Sequence, residues 1–361
     1  MFLTRLCIRH FRNLTSLDFT PGSSFNLISG PNGSGKTSFL EALSYLALAR
    51  SFRGANVNYL IEHQQPSFEI FAKVKEQEDD LVTHAIGLSR SRKTQDLKIR
   101  IDGRPINKLS DLVAHICVQV IHPQGSELIT GGPELRRRFI DWGVYYAMPQ
   151  FKDLFSQYNK TLRQRNSLLK SNAPDTQFTV WDEILTELSC QIDDLREQYL
   201  QALNEILSTV VNKFLSDFKL SFQLHKGAEN GLAMRSALRS NLEKERVLGY
   251  TLTGCHRADL KIKTDSLAAG ATLSRGQLKL LVCAMRMSQS LLLHKQTGRS
   301  CIFLIDDLNS ELDKRSQDLL LDYLEQCHNQ VFITNITPDP LFREMSKQKF
   351  LALEDGQARS S

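Results

Sequence analysis

The segment "GPNGSGKT", residues 30–37, constrains the fold of this chain more than any other part of its sequence. It fits the pattern GxxxxGK[ST] and lies between the apolar run "SFNLIS" and a segment with helical periodicity. The glycines let backbone N–H groups turn inward around a phosphate, and the amino end of a following helix favours the same anion. A chance glycine turn is the alternative, but the predicted strand–loop–helix context favours a site for a nucleoside triphosphate.

Each residue of this loop has an expected place in such a site. Lys36 is predicted to be a catalytic residue that brings its charge to the β and γ phosphates, and the Thr37 hydroxyl is predicted to hold Mg²⁺. The loop residues expected to contact the nucleotide are Gly30, Pro31, Asn32, Gly33, Ser34, Gly35, Lys36, Thr37 and Ser38.

A second apolar run, "CIFLIDD" at residues 301–307, ends in two carboxylates. A strand there would deliver Asp306 beside the phosphate loop, where a carboxylate orients Mg²⁺ through water. Asp307 is then placed to polarise the water that attacks the γ-phosphate, as the second catalytic residue. Two solvated acids at the end of a strand are the alternative, which the presence of a phosphate loop in the same chain disfavours.

The stretch "TLSRGQLKLLVCAMR", residues 272–286, predicts a buried helix with a polar amino end. A helix amino end carries exposed N–H groups and partial positive charge, so it favours an anion. Ser274 adds a hydroxyl and Gly276 allows close approach of the backbone. Because the chain already has a phosphate loop, this tip is expected to reach the nucleotide of a second copy in a head-to-tail pair. An ordinary helix capped by Ser274 is the alternative.

Hydrophobic periodicity divides the chain into three predicted segments. Residues 1–125 alternate like strands around the phosphate loop, with Asp102-Gly103 as a tight hairpin turn. Residues 126–248 have a helical period and include a predicted helix over 179–216; they form either a short antiparallel arm or an ordinary all-helical lobe. Residues 249–361 return to α/β character. The predicted fold class is therefore α/β with a helical insertion.

Composition limits the cellular setting and the partners. The chain has 361 residues, a formal net charge of +5 and seven cysteines, none in CxxC spacing, so neither a disulfide framework nor a zinc site is expected. No apolar run is long enough to span a bilayer, and a reduced, cytoplasmic protein without a membrane partner is expected. Basic clusters that could meet a DNA backbone, or be ordinary solvated charges, contain Arg90, Arg92, Lys93, Lys98, Arg100, Arg104, Arg136, Arg137 and Arg138.

Three motifs of the chain together resemble those of an ABC-type ATPase. "LSRGQ" is similar to the signature of that class, "SELD" to its D-loop with Ser310 and Asp313, and "GPNGSGKT" to its phosphate loop. The resemblance implies ATP with Mg²⁺ as cofactors and a head that combines a parallel sheet with an antiparallel β subdomain. It also implies that a second copy receives Ser274, Gly276 and Gln277 in trans.

The whole chain resembles the bacterial RecF family. The similarity rests on "IRHFRN", "RSFRG", "GGPELRRRFIDW", "RQRNSLL", "CHRADL" and "TLSRGQLKLL". It implies an ATP-dependent DNA-binding protein of recombinational repair and replication restart, which dimerises with ATP on gapped duplex or at single-strand/double-strand junctions. It further implies work with RecO and RecR to load RecA on single-stranded DNA, a part in SOS induction, partial association with the nucleoid, and slow DNA-stimulated hydrolysis that resets the dimer.

The resemblance also assigns individual residues. Arg12 and Asn13 of "FRN" are expected near the adenine or phosphates, and Gln124 of "HPQG" is the candidate Q-loop ligand of Mg²⁺. Thr334-Asn335 replaces the switch histidine of transport ATPases, which agrees with slow hydrolysis. A transport ATPase that docks on a membrane subunit and a P-loop kinase are the competing function classes.

Overall fold

The computed structural model describes residues 1–54, 56–171, 173–307, 312–336 and 348–358. These residues form two compact units, Met1–Gly125 with Thr297–Ser361, and Ser126–Gln296. Residues 249–296, predicted as part of the α/β segment 249–361, group with the helical segment in the structure, because a strand at Asp259–Thr264 pairs along its whole length with a strand at Leu220–His225.

The strands of the described residues are β1 (Phe2–Phe11), β2 (Leu14–Phe19), β3 (Phe25–Ser29), β4 (Ser67–Lys75), β5 (His84–Ser91), β6 (Leu97–Ile101), β7 (Arg104–Ile106), β8 (Val118–Ile121), β9 (Leu220–His225), β10 (Asp259–Thr264), β11 (Leu267–Ala268), β12 (Ile302–Ile305), β13 (Gln330–Asn335), β14 (Lys349–Glu354) and β15 (Gln357–Ala358). The α-helices are α1 (Lys36–Leu48), α2 (Leu109–His115), α3 (Glu127–Thr130), α4 (Pro133–Ala147), α5 (Phe151–Lys170), α6 (Phe178–Phe214), α7 (Gly231–Ser240), α8 (Leu242–Leu248), α9 (Ala269–Thr272), α10 (Arg275–Thr297) and α11 (Lys314–Gln326). Short 3₁₀ turns lie at Val57–Tyr59, Pro123–Ser126, Asp175–Gln177 and Cys255–Arg257.

A mainly parallel sheet forms the centre of the first unit, with strand order β15-β14-β3-β13-β12-β8. Every residue of β3, β12 and β13 is buried, which explains why these strands do not alternate between apolar and exposed polar residues. Helix α1, which follows β3, is buried from Ser38 to Ala47. The carboxyl ends of β3, β12 and β13 meet at one edge, where ligands bind in sheets of this kind.

An antiparallel sheet in the order β2-β1-β4-β5-β6-β7 completes the first unit. Its strands alternate, so that Leu6 and Ile8 of β1 enter the core while Arg5 and Arg9 are exposed. The predicted hairpin is confirmed: β6 and β7 pair across Asp102-Gly103, and both turn residues have positive φ (50° and 78°). The α/β fold class, with a parallel sheet and an antiparallel β subdomain, is therefore confirmed.

Helices dominate the second unit. α6 has 37 residues, so it is about 55 Å long, and it packs along α5 as an antiparallel partner. The same helix also contacts α4, α7 and β9, so the predicted hairpin is embedded in a larger helical lobe. Its bounds differ by one or two residues from the predicted helix over 179–216. No described helix is long and apolar enough to cross a membrane.

Candidate nucleotide-binding site

A cavity of about 420 Å³ opens at the edge of the parallel sheet where β3, β12 and β13 end. It brings together the phosphate loop and both predicted carboxylates, which lie far apart in the sequence. The lining residues are Asn13, Asn32, Gly33, Gly35, Lys36, Thr37, Ser38, Arg53, Pro123, Asp306, Asp307, Thr334, Asn335 and Ile336. Most of the residues predicted from the phosphate-loop motif therefore face one cavity.

Lys36 begins helix α1 and folds back over the loop that precedes it. Its ammonium donates to the carbonyl oxygens of Gly30 at 2.7 Å and Pro31 at 2.9 Å. Burial lowers the pKa of Lys36, an effect that the nearby charges of Asp306 and Asp307 oppose. The ammonium is thus already among the backbone groups of the loop, where it can exchange carbonyl oxygens for phosphate oxygens.

Thr37 and Asp306 contact each other across the cavity floor. The Thr37 hydroxyl donates to Asp306 Oδ1 at 3.1 Å, and the Thr334 hydroxyl donates to the same oxygen at 2.7 Å. Burial raises the pKa of Asp306, while these two hydrogen bonds lower it. A hydroxyl beside a carboxylate is the donor set that Mg²⁺ accepts together with phosphate oxygens.

The backbone of the loop fits a phosphate group. Ser34 is only 3% exposed, and its Oγ has no hydrogen-bond partner among the described residues. Gly35 has φ +107°, and a Cβ there would lie 2.7 Å from Leu14 Cδ2. Only glycine is compatible with that backbone. The loop therefore has a backbone shape at Gly35 that a side chain would block, and Ser34 is a buried hydroxyl of the loop that does not line the cavity.

Asp307 directly follows Asp306 at the same edge. Its backbone is left-handed, with φ +54°, and its N–H donates to Thr334 Oγ1 at 2.9 Å. Asp307 lines the cavity, where the attacking water is expected.

Gln124 is exposed in the turn Pro123–Ser126 and is not among the lining residues, whereas its neighbour Pro123 is. Its assignment as Q-loop ligand stays a prediction.

The turn between β1 and β2 places Arg12 and Asn13 differently. The Asn13 amide donates to the Gly33 carbonyl at 2.8 Å and accepts from Ser38 Oγ at 2.7 Å, so it braces the phosphate loop. Arg12 does not line the cavity; its Nη2 donates to Glu41 Oε1 at 2.8 Å. Asn13 therefore lies beside the phosphate loop, and the Arg12 guanidinium is engaged by a buried carboxylate; a contact of either residue with nucleotide stays a prediction.

The motifs assign no part in the site to three residues that the structure places in or beside it. Arg53 of "RSFRG" lines the cavity, Thr334 is hydrogen-bonded to both Asp306 and Asp307, and Glu41 binds Arg12. In the sequence, "RSFRG" is only a family motif, and Thr334 stands out only because no histidine follows it. An acidic residue within a helix gives no signal that it is buried, so Glu41 could not have been found by pattern.

The signature segment begins helix α10 in the second unit. The Gln277 amide oxygen accepts from the Ser274 N–H at 2.8 Å, and the Ser274 hydroxyl accepts from the Gln277 N–H at 3.3 Å. This reciprocal pair is a capping box. Ser274, Arg275 and Gly276 are exposed, and a Cβ on Gly276 would meet nothing within 4 Å. The predicted cap is therefore present, and the tip remains open to approach.

The D-loop prediction falls partly outside the described residues, which do not include Ser310. Asp313 caps helix α11: its Oδ1 accepts from the Ser316 N–H at 2.9 Å and its Oδ2 from the Ser316 hydroxyl at 3.1 Å. The assignment of Asp313 to a D-loop stays a prediction.

Part of the predicted basic stripe lies on the outer face of the antiparallel sheet. Lys98 and Arg100 are exposed on the same face of β6, while Ile99 and Ile101 enter the core. Lys98 pairs with Ser89 on β5, Ser89 pairs with Glu69 on β4, and Glu69 pairs with Arg9 on β1. Arg9 therefore lies in the same cross-strand row as Lys98. Lys93 and Arg104 are exposed nearby in the chain, and Arg90 is half-buried with its guanidinium 3.5 Å from the Tyr45 hydroxyl.

Arg92 is not part of this surface. Its guanidinium donates to the carbonyl oxygens of Asn58, Ile61, Glu62 and Gln65 at 3.0–3.2 Å. These four bonds use the donors that a DNA phosphate would need, so Arg92 fastens the loop before β4 instead.

The cluster Arg136, Arg137 and Arg138 also has internal partners. Arg136 binds Asp259 through two nitrogens, at 2.7 and 3.1 Å, and donates to the Ile129 and Gly131 carbonyls. Arg137 donates to the Ala258 carbonyl at 2.7 Å, and Arg138 pairs with Glu134 one turn earlier on α4. Arg136 and Arg137 thus join α4 to β10 and the turn before it, and the expected DNA contact is not supported by their placement.

A family model and individual related sequences indicate the same family. The family model described as "RecF/RecN/SMC N terminal domain" matches residues 2–359. The chain is 39% identical over 360 residues to the DNA replication and repair protein RecF of Histophilus somni (strain 129Pt), covering 99% of both chains. It is 38% identical over 357 residues to the protein of that name from Haemophilus influenzae (strain Rd), covering 99% and 98%.

Structural comparison agrees with this. A solved structure of the recombination mediator protein RecF with ATP in the RecFOR pathway aligns with a TM-score of 0.88 and 26% identity, covering 99% of this chain and 97% of that one. The Smc head domain of Pyrococcus furiosus aligns with a TM-score of 0.58 and 15% identity, covering 99% and 95%. The second likeness concerns the fold alone.

Proposed function

This chain belongs to the RecF family, and from that premise we propose that it is an ATP-dependent DNA-binding protein of recombinational repair and replication restart. The observation that supports this most strongly is the hydrogen bond from Thr37 to Asp306, because it joins the phosphate loop to the carboxylate at the end of β12. These two groups, with Lys36, have the chemistry that binds a nucleoside triphosphate with Mg²⁺.

Within the site, each side chain has a separate role in this proposal. Lys36 neutralises phosphate charge, and Thr37 and Asp306 hold Mg²⁺, which supplies further positive charge at the phosphates when bound. Asp307 orients and deprotonates water for slow hydrolysis. Its side chain lines the cavity and its backbone is tied to Thr334, so its position is defined before nucleotide binds.

ATP closes a homodimer in this proposal. The exposed amino end of α10, with Ser274, Gly276 and Gln277, binds the γ-phosphate held by a second copy. The 23-residue helix behind this tip supports the assignment, as do the exposure of Ser274 and Gly276 and the open space around the Cβ position of Gly276. Hydrolysis then opens the dimer.

DNA binds to the outer face of the antiparallel sheet, through the phosphate backbone. Lys98, Arg100 and Arg9 share that face, with Lys93 and Arg104 at its end. Backbone contacts carry most non-specific affinity and read no sequence. A preference for gapped duplex or for single-strand/double-strand junctions then comes from geometry or from partners.

The pathway partners follow from the relatives. Relatives at 38–39% identity are named DNA replication and repair proteins, and one structural neighbour is a mediator in the RecFOR pathway. By analogy, this chain acts with RecO and RecR to load RecA on single-stranded DNA and contributes to SOS induction. It works in the cytoplasm, in part at the nucleoid.

The proposal is tested by DNA affinity with and without ATP. We expect ATP to tighten binding to gapped duplex DNA in the native protein and to have no effect in Lys36→Ala, because that variant loses the charge at the phosphates. Lys314→Ala, an exposed lysine on α11 that does not line the cavity, is the matched control and should respond normally. DNA binding by the native protein that ignores ATP would contradict the proposal.

A further inference from the structure

Glu41 is a fully buried carboxylate on helix α1 that none of the recognised motifs includes. Its exposed fraction is 0%, and it lies five residues after Lys36. Burying a carboxylate costs several kcal/mol unless it is paired and hydrogen-bonded, so a merely space-filling position would favour an apolar side chain. The partners of Glu41 therefore indicate what it does.

Two segments from outside the helix meet at this carboxylate. Arg12, in the turn between β1 and β2, forms an ion pair with it and donates to Oε1 at 2.8 Å. The Ser51 hydroxyl donates to the same oxygen from the segment after α1. One carboxylate thus binds both the "FRN" turn and the "RSFRG" turn, two family motifs that lie about forty residues apart.

Ser51 fixes the turn that follows it. Its hydroxyl oxygen accepts from the Arg53 N–H at 3.0 Å, and its carbonyl oxygen accepts from the Gly54 N–H at 3.4 Å. The Phe52 ring packs against the His122 ring, with centroids 5.2 Å apart, next to Pro123 at the cavity rim. The turn is therefore held at its start by Glu41 and at its middle by His122.

This arrangement places Arg53 at the cavity. Its side chain lines the cavity together with Lys36 and Thr37, and its charge acts on Asp306. A guanidinium presents several donors in a fixed plane, which suits phosphate oxygens better than a flexible ammonium does. An exposed arginine, however, loses much of that advantage unless its backbone is fixed.

We infer that Glu41 is a positioning residue for the nucleotide: through Ser51 it holds Arg53 at the phosphate cavity, and through Arg12 it fixes the turn from which Asn13 braces the phosphate loop. This inference rests on the proposed binding of ATP. Arg53 is the phosphate contact, and Glu41, Ser51 and Arg12 act through other residues.

The test is a double-mutant cycle on ATP affinity with Ser51→Ala and Arg53→Ala. Arg53→Ala should weaken ATP binding about tenfold, since it removes a charge-assisted contact. Ser51→Ala should weaken it several-fold when Arg53 is present and by less than about twofold when Arg53 is already alanine, because the serine acts through that arginine. Effects that simply add would overturn the inference, as would unchanged ATP affinity in Ser51→Ala.

Ser44→Ala is the matched control. Ser44 lies on helix α1 with Glu41 and, like Glu41, is fully buried. Its hydroxyl has no hydrogen-bond partner among the described residues, so the loss of this hydroxyl should leave ATP affinity unchanged. Glu41→Gln should reproduce the Ser51→Ala loss of affinity, and a thermal melt shows whether it still folds; if it does not, the cycle on Ser51 and Arg53 decides. Normal ATP binding by Lys36→Ala would instead refute the proposed function itself.

Discussion

At the scale of single residues, the Thr334 hydroxyl organises both acids at the end of β12. It donates to Asp306 Oδ1 at 2.7 Å and accepts from the Asp307 N–H at 2.9 Å. The sequence drew attention to this position only because no histidine follows it. Its contribution comes from strand order: β13 lies beside β12, so their carboxyl ends share one edge.

We expect Asp307→Asn to lower ATP turnover about 100-fold or more, because asparagine fills the same space but cannot take a proton from water. Nucleotide binding should persist, so the ATP-bound dimer should accumulate. Steady-state turnover and light scattering with ATP measure the two effects. Asp18→Asn, which changes an exposed acid of β2, is the control. Normal turnover in Asp307→Asn would remove this residue from the reaction.

His256, in the motif "CHRADL", is a neutral group within the second unit. Its Nε2 lies 3.0 Å from the Thr251 carbonyl oxygen, which can only accept, so Nε2 carries the hydrogen and Nδ1 accepts from the Tyr158 hydroxyl at 2.6 Å. Burial lowers the pKa of His256 from its ordinary 6.5 to about 4, and the charges of Arg257, Arg137 and Arg196 act in the same direction.

This shift predicts acid sensitivity of folding. Because the unfolded chain takes up a proton near pH 6.5 that the folded chain refuses until about pH 4, stability should fall between those values. The loss should total about 3 kcal/mol. Urea unfolding at several pH values measures it, and His256→Gln should flatten the slope in this interval. An equal slope in the native protein and in His256→Gln would show that other groups cause it.

At the scale of elements, the amino end of α10 is both a capped helix end and the proposed contact with a partner's phosphate. Two substitutions of Ser274 separate these properties. Ser274→Ala should lower stability by about 1 kcal/mol through loss of the cap, and leave the tip small. Ser274→Arg should also abolish ATP-dependent association, because a long cation occupies the place of the partner's phosphate. Analytical ultracentrifugation with ATP compares them. Association of Ser274→Arg with native affinity would contradict action in trans.

The outer face of the antiparallel sheet allows a similar comparison. We expect Lys98→Glu with Arg100→Glu to weaken DNA binding at least about tenfold, and to lower the slope of log affinity against log salt by about two. Arg315→Glu with Lys314→Glu reverses two charges on α11 as a control. Unchanged DNA affinity after reversal at Lys98 and Arg100 would exclude this face.

The elements also show what periodicity can and cannot predict. Alternation and the Asp102-Gly103 signal gave β6 and β7, and the 3.5-residue period gave α6 to within two residues at each end. The placement of 249–296 was not predictable, because β10 pairs with β9 and no local pattern encodes a partner strand. Arg136 and Arg137 look like surface charges in the sequence, yet long-range carboxylate and carbonyl partners engage them.

At the scale of the whole molecule, the phosphate-binding motifs could be predicted from the sequence. The phosphate loop and Asp306 fall on one cavity because the backbone geometry of such a loop leaves few alternatives. Glu41, Ser51 and Arg53 could not be joined in advance, since a buried glutamate in a helix has the same letter as an exposed one and no local pattern names Ser51 as its partner. The motifs therefore predicted most of the groups that line the cavity, and the structure was needed to find the groups packed behind them.

The central claim is that two copies of the chain share nucleotide on DNA. ATP hydrolysis across a range of protein concentration, with and without gapped duplex DNA, tests it most directly. If the signature end of one copy completes the site of another, specific activity will rise with protein concentration, and DNA will shift the rise to lower concentration. Specific activity that is constant with concentration and indifferent to DNA would contradict the shared site, while leaving the phosphate loop as a nucleotide site.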